Sequence, residues 1–189
     1  MTDLSLTTRA ALPPALRVLV EELPRETWES HPHFSELIRF WLDRHLMFRQ
    51  ITARMLEDAE AALDAQMGVA FYARKLAHLG GTLVNDLHMH HRIEDAHYFP
   101  VLQRLDTRLA PGFDLLDSDH HEIDAALHRF ADSANLLLRD PTGAPDPTAL
   151  CGTIRDEIAV LSKVLLRHLE DEEELVVPVL LSHAPDGLI

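Results

Sequence analysis

Four stretches of the chain carry apolar residues at intervals of three and four, the spacing that lines one face of an α-helix. The first runs from about Pro32 to Ala65, with Phe34, Ile38, Trp41 or Leu42, His45, Phe48, Thr52, Leu56, Ala59 and Leu63 on its inward stripe. The second runs from about Val69 to Leu105, through Leu76, Leu79, Leu83, Leu87, His90, Glu94 and Val101, with His97 nearby. The third, about Phe113 to Arg139, has the most regular stripe: Leu116, His120, Ile123, Leu127, Phe130, Ala134 and Leu137. The fourth, about Thr148 to Val177, carries Ile154, Ile158, Leu161, Leu165, His168, Glu172 and then Leu175 or Val176. No segment alternates with period two over a useful length, so no sheet is expected.

Turn residues separate these stretches. Asp64 to Gly68, Ala110-Pro111-Gly112 and the run Asp140 to Pro147 read as connections. Upstream, Pro14 to Leu23 reads as a short helix closed by Pro24, and Ser30-His31-Pro32 as the cap of the first long helix. Gly80-Gly81 lies inside the second helix and implies a close helix approach or a kink. Pro100 should kink or end that helix. Helices of similar length with short turns give an all-α, up-down-up-down antiparallel four-helix bundle. The domain boundaries expected are an N-terminal helical arm over 1–30, the bundle over 31–183 and a tail over 184–189.

Each stripe contains one histidine where an apolar residue would ordinarily stand: His45, His90, His120 and His168. The second and fourth stripes add Glu94 and Glu172, four residues after His90 and His168 and therefore on the same helical face. The two stretches echo each other further. Both read His-x-x-x-Glu, then five residues, then Pro-Val-Leu, ending at Leu102 and Leu180. A carboxylate in an apolar core is costly unless it is paired or bound to a metal, and no Lys or Arg falls on these stripes. Imidazole and carboxylate without thiolate suit iron, manganese or zinc. Two glutamates facing each other can each bridge two metal ions, with the histidines as terminal ligands. His31, His33, His78, His128 and His183 fall outside this constellation and read as surface or capping residues. Of the acidic run Glu170 to Glu174, only Glu172 is in register, and the remainder reads as a solvated face.

Charge and composition narrow the partners. A formal charge of −14 argues against nucleic acid and anionic membranes. The lone cysteine, Cys151, excludes a disulfide framework or an iron–sulfur site within one chain. Neither a signal peptide nor a run of the ~20 apolar residues needed to span a bilayer is evident, so a cytoplasmic setting is expected.

The doubled motif resembles the hemerythrin family in its bacterial HHE cation-binding form. That family's second helix reads like His90-His91-x-x-Glu94-Asp95-x-x-Tyr98-Phe99-Pro100-x-Leu102, its third starts with an acidic residue and histidine like Asp119-His120, and its fourth reads like His168-x-x-x-Glu172 followed by Pro178. The resemblance covers about residues 34–181. It implies a non-haem di-iron centre, bridged by two carboxylates and an oxo or hydroxo group, that binds a small diatomic or peroxide ligand. Zinc and manganese are compatible with the same donors. Hemerythrin has a second histidine one turn further along the third helix, where this chain has Asp124. His91 is the candidate for the missing ligand, as the residue after His90 serves the other iron in some members; His97 is its rival. Asp95 and Tyr98 are candidates to orient ligands by hydrogen bonding. The metal set expected is thus His45, His90, His91, Glu94, His120, His168 and Glu172. The other functions weighed are an iron carrier or iron–sulfur repair protein, which residues 1–30 do not favour because they lack cysteine, and a bundle with a structural metal. A ferritin-like oxidase ranks lower, because those bundles place Glu-x-x-His, the reverse order.

Overall fold

The computed structural model describes residues 4–141, 143 and 146–184, and those residues hold six α-helices and no strand. They are α1 (Val18–Glu22), α2 (Glu36–Leu63), α3 (Val69–Ile93), α4 (Phe99–Leu105), α5 (Ala110–Arg139) and α6 (Pro147–His183). The first predicted long helix starts four residues late, at Glu36, after Ser35, whose hydroxyl accepts from the Ile38 amide. Ser30, expected to cap it, closes a 3₁₀ turn over Arg25–Ser30 instead and donates to the Thr27 carbonyl. In the second half of α2 the expected Thr52 and Ala59 are buried, together with Asp58, but Met55 and Ala62 are buried where Leu56 and Leu63 were expected.

The largest departure lies in the second predicted helix. It is present, but Glu94–Tyr98 forms a π turn in which the Phe99 amide donates to the Glu94 carbonyl. The wider turn admits one extra residue and leaves Pro100 in the first turn of α4, where its missing N–H costs nothing. It also advances the stripe by one position: Phe99 and Leu102 are buried, while the expected Val101 is only half-buried.

Two expected breaks are absent. Pro111 and Gly112 belong to the first turn of α5 rather than to a connection. Gly112 is needed there because a Cβ would come within 2.8 Å of the Leu175 side chain. α6 does not end at Val177 but continues through Pro178 to His183. The lost hydrogen bond is offset by burial of Val176, Val177, Val179, Leu180 and Leu181.

The chain divides into two compact units. Met47–Met89 and Glu122–Leu165 form one of them. Its interior is almost wholly apolar, with Phe48, Met55, Tyr72, Leu83, Phe130 and Ile158 among its buried side chains. Gly80 lies there against the Phe130 ring, which a Cβ would approach to 2.9 Å, so the expected close approach is made by Gly80; nothing stands near Gly81. Cys151 is also buried in this unit.

Met1–Leu46, His90–His121 and Leu166–Ile189 form the other unit. Its core takes in Leu12, Leu16, Leu19 and Trp28 from the predicted arm, with Trp41, Phe113 and Leu175. Of the buried polar and charged residues, all but Thr52 and Asp58 belong to this unit. The expected tail lies outside the described residues apart from Ala184. No helix among the described residues is long and apolar enough to cross a membrane.

Candidate metal centre

The seven predicted donors fall in two groups, His45, His90, Glu94 and Glu172 in one and His91, His120 and His168 in the other. Helical spacing explains the two intrahelical pairs. His90 Nε2 is 2.9 Å from Glu94 Oε1, and His168 Nε2 is 3.4 Å from Glu172 Oε2, each four residues apart. Across helices, His45 Nε2 is 3.1 Å from His90 Nε2 and 3.5 Å from Glu172 Oε2. Glu94 turns its second oxygen, Oε2, toward His120 Nε2 at 3.6 Å. Each glutamate therefore serves both groups: Glu94 through its two oxygens separately, Glu172 through one oxygen shared by His45 and His168.

His91 follows His90 by one residue, a step of ~100° around the helix, and so joins the other group. Its ring stacks on His120 with centroids 3.9 Å apart. His97 is exposed and outside both groups. Asp124 also lies outside them and pairs with His88 at 3.2 Å.

Hydrogen bonds on the far side of the rings orient three of the histidines. His45 Nδ1 is 3.0 Å from Glu173 Oε1, His120 Nδ1 is 2.9 Å from Asp95 Oδ1, and His168 Nδ1 is 3.4 Å from Asp119 Oδ2. An ionised carboxylate only accepts, so each Nδ1 donates outward and each Nε2 is the ring nitrogen turned to the centre. Trp41 Nε1 donates to Glu172 Oε1 at 2.5 Å, which leaves Oε2 to the histidines. The expectation of a solvated face fails for part of the acidic run: Asp171 and Glu173 are buried with Glu172, and only Glu170 is exposed. The signal available in the sequence was a carboxylate directly after each of Glu94 and Glu172. Nothing in the sequence pointed to Arg9, Arg25 or the indole of Trp41.

The electrostatics follow from burial and from mutual charge. Burial raises the Glu94 carboxyl well above the usual range, and the Glu172 charge adds to this. Glu172 moves the other way: burial opposes its ionisation, but His45 and His168 outweigh it. Burial lowers His90 to about 3, with neighbouring imidazoles contributing, and the same causes hold His91 well below the usual imidazole range. For His45 and His168 burial is outweighed by the facing carboxylates, and His168 is raised to about 9.

The donors fit metal ions. Both oxygens of Glu94, Oε2 of Glu172, Nε2 of His120 and His168 and both nitrogens of His91 are buried without a hydrogen-bond partner among the described residues. Buried polar atoms ordinarily have partners, and the residues that carry these all belong to the two donor groups. Imidazole nitrogens and carboxylate oxygens without sulfur are the donors that iron, manganese and zinc accept. A family model for the hemerythrin HHE cation-binding domain matches residues 36–180. The chain belongs to the hemerythrin HHE cation-binding family. No curated protein and no solved structure matches it.

Proposed function

We propose that the chain is a non-haem di-iron protein that binds a small oxidant (dioxygen, peroxide or nitric oxide) for sensing, storage or detoxification in the cytoplasm. The observation that carries this reading is the pair of donor groups joined by Glu94 and Glu172. One ion would be held by His45 and His90, the other by His91, His120 and His168, with both glutamates between them. The helices that bring these residues together would run up-down-up-down. Two ferrous ions would supply the electrons that a small oxidant takes up.

The chain's own residues would do the rest. Glu173, Asp95 and Asp119 hold the Nδ1 protons and keep three imidazoles aimed inward. Trp41 fixes the Glu172 carboxylate by one oxygen. The small ligand would enter on the His45/His90 side, where fewer imidazoles converge and where the His90 side chain is 11% exposed while the Glu94 side chain is 1% exposed.

Anaerobic reconstitution with ferrous iron, followed by air, tests the reading. Two irons per chain and a new near-ultraviolet and visible band of the oxo-bridged type are expected; a band that reverses under vacuum indicates carriage, and one that persists indicates oxidation. Metal uptake without any band would favour a structural ion, zinc, or an iron carrier. His168→Ala should lose a large part of the metal by elemental analysis, and unchanged stoichiometry would sink the site assignment.

A further inference from the structure

Two of the hydrogen-bonded chains that lead outward from the centre end on arginines upstream of α2. His45 is held by Glu173 Oε1, and Glu173 Oε2 accepts from Arg25 Nη1 at 2.5 Å. His168 faces Asp119, which accepts from Arg9 Nη2 at 2.5 Å and from Nη1 at 3.2 Å. Arg9 also reaches Asp171 Oδ2 at 2.8 Å through Nε. Both arginines precede residue 36, where the family match begins, and one stands behind each donor group. The third chain, from His120, ends on Asp95, whose side chain is 37% exposed and needs no counter-charge from the protein.

A buried carboxylate that loses its charged partner loses the contact that fixes its position. The imidazole that donates to it then loses its orientation. Asp119 and Glu173 are both buried, and Arg9 and Arg25 are the charged groups that hold them in place. The segment that supplies the arginines is itself held. Arg9 Nη1 donates to the Leu4 carbonyl, and Arg167 Nη1 donates to that of Ala10. Leu6 and Leu12 are buried. Arg25 lies over the Trp28 ring at 4.7 Å, and the Trp28 indole donates to the Leu23 carbonyl.

We propose that the segment preceding α2 is a positioning element of the metal centre, in which Arg25 acts through Glu173 on His45 and Arg9 acts through Asp119 on His168. This rests on the two-metal reading above. It adds that each ion has its own arginine, so that loss of one arginine changes one ion and spares the other.

The test uses the full chain loaded anaerobically with cobalt(II) in competition with a chelator, with the cobalt d–d bands as a second readout. Arg25→Gln should weaken one of the two ions by about 10- to 100-fold and shift its band, leaving the other ion unchanged. Arg25→Lys, which keeps the charge, should recover most of the loss. Arg9→Gln should weaken the other ion in the same manner. Leu137→Ala, a core change in the other unit, should lower thermal stability without a selective loss of metal. The inference is overturned if Arg25→Gln binds both ions as wild type does, or if Leu137→Ala reproduces the selective loss. The Arg25 side chain is 50% exposed, so its variants decide even if Arg9→Gln does not fold. His168→Ala separates the two levels. If it also keeps both ions, the two-metal reading fails; if it loses metal while the arginine variants do not, only the role of the segment fails.

Discussion

The stretches 90–102 and 168–180 read alike and fold differently. Each places His-x-x-x-Glu toward the centre, and in each the residue after the glutamate reaches across to a histidine on another helix: Asp95 to His120 and Glu173 to His45. The first stretch then passes through the π turn Glu94–Tyr98, whereas the second stays in α6 past Pro178. The surroundings differ as well. His91 falls in a candidate donor group where its counterpart Leu169 is a buried apolar residue, and His97 is exposed where its counterpart Leu175 is buried. The repeat thus specifies donor atoms, while what packs behind each stretch specifies hydration. The stretch that ends in a π turn has its outer carboxylate partly exposed; the one that runs on as a buried helix has its own paired with Arg25.

The two glutamates that face both donor groups give the largest expected effect. Glu94→Ala and Glu172→Ala should each weaken both ions by at least the ~100-fold seen at the upper end for outer partners of a metal site, because each carboxylate faces both groups. Elemental analysis of the purified variants checks this. A variant at Glu94 that keeps both ions while one at Glu172 keeps none would break the equivalence of the two stretches.

Next comes a pair of positions that correspond in the repeat but not in burial. Leu175→Ala removes a side chain packed against Gly112 in the core and should cost about 2–5 kcal/mol of stability. His97→Ala should stay within about 0.5 kcal/mol and leave the metal content unchanged, since His97 is exposed and outside both donor groups. Urea unfolding and metal analysis of both variants measure the contrast. A loss of metal from His97→Ala would return that residue to candidacy over His91.

What was legible in the sequence follows from the same contrast. Helical period and turn residues located the long helices, and four histidines and two glutamates at equivalent depth on four apolar stripes were a strong signal, where one histidine alone would not have been, because buried polar groups there need partners or a metal. The π turn was not legible: Pro100 announced a disturbance, but its form depends on tertiary packing that lets Phe99 and Leu102 turn inward. The run Glu170 to Glu174 misled because a charge run is ordinarily a solvated face. Asp171 and Glu173 escape that rule through Arg9, Arg167 and Arg25, two of them more than 140 positions away in sequence. Long-range pairing of this kind leaves no local pattern to read.

The smallest expected difference is the sharpest test of the comparison. Glu173→Gln and Asp95→Asn make the same change, a carboxylate to its amide, behind His45 and His120. Both amides keep an oxygen that can accept from Nδ1, so ring orientation is preserved and the charge alone is removed. Behind His45 the change is made in a buried pocket and leaves Arg25 without its anion, so the affinity of that ion should fall by about 10- to 100-fold. Behind His120 the Asp95 side chain is 37% exposed, water already screens its charge, and the loss should be nearer ~10-fold or less. Chelator competition on both variants measures the two losses. Equal losses would mean that burial of the outer carboxylate is not what distinguishes the two stretches, and that the arginine behind Glu173 serves the fold and not the centre.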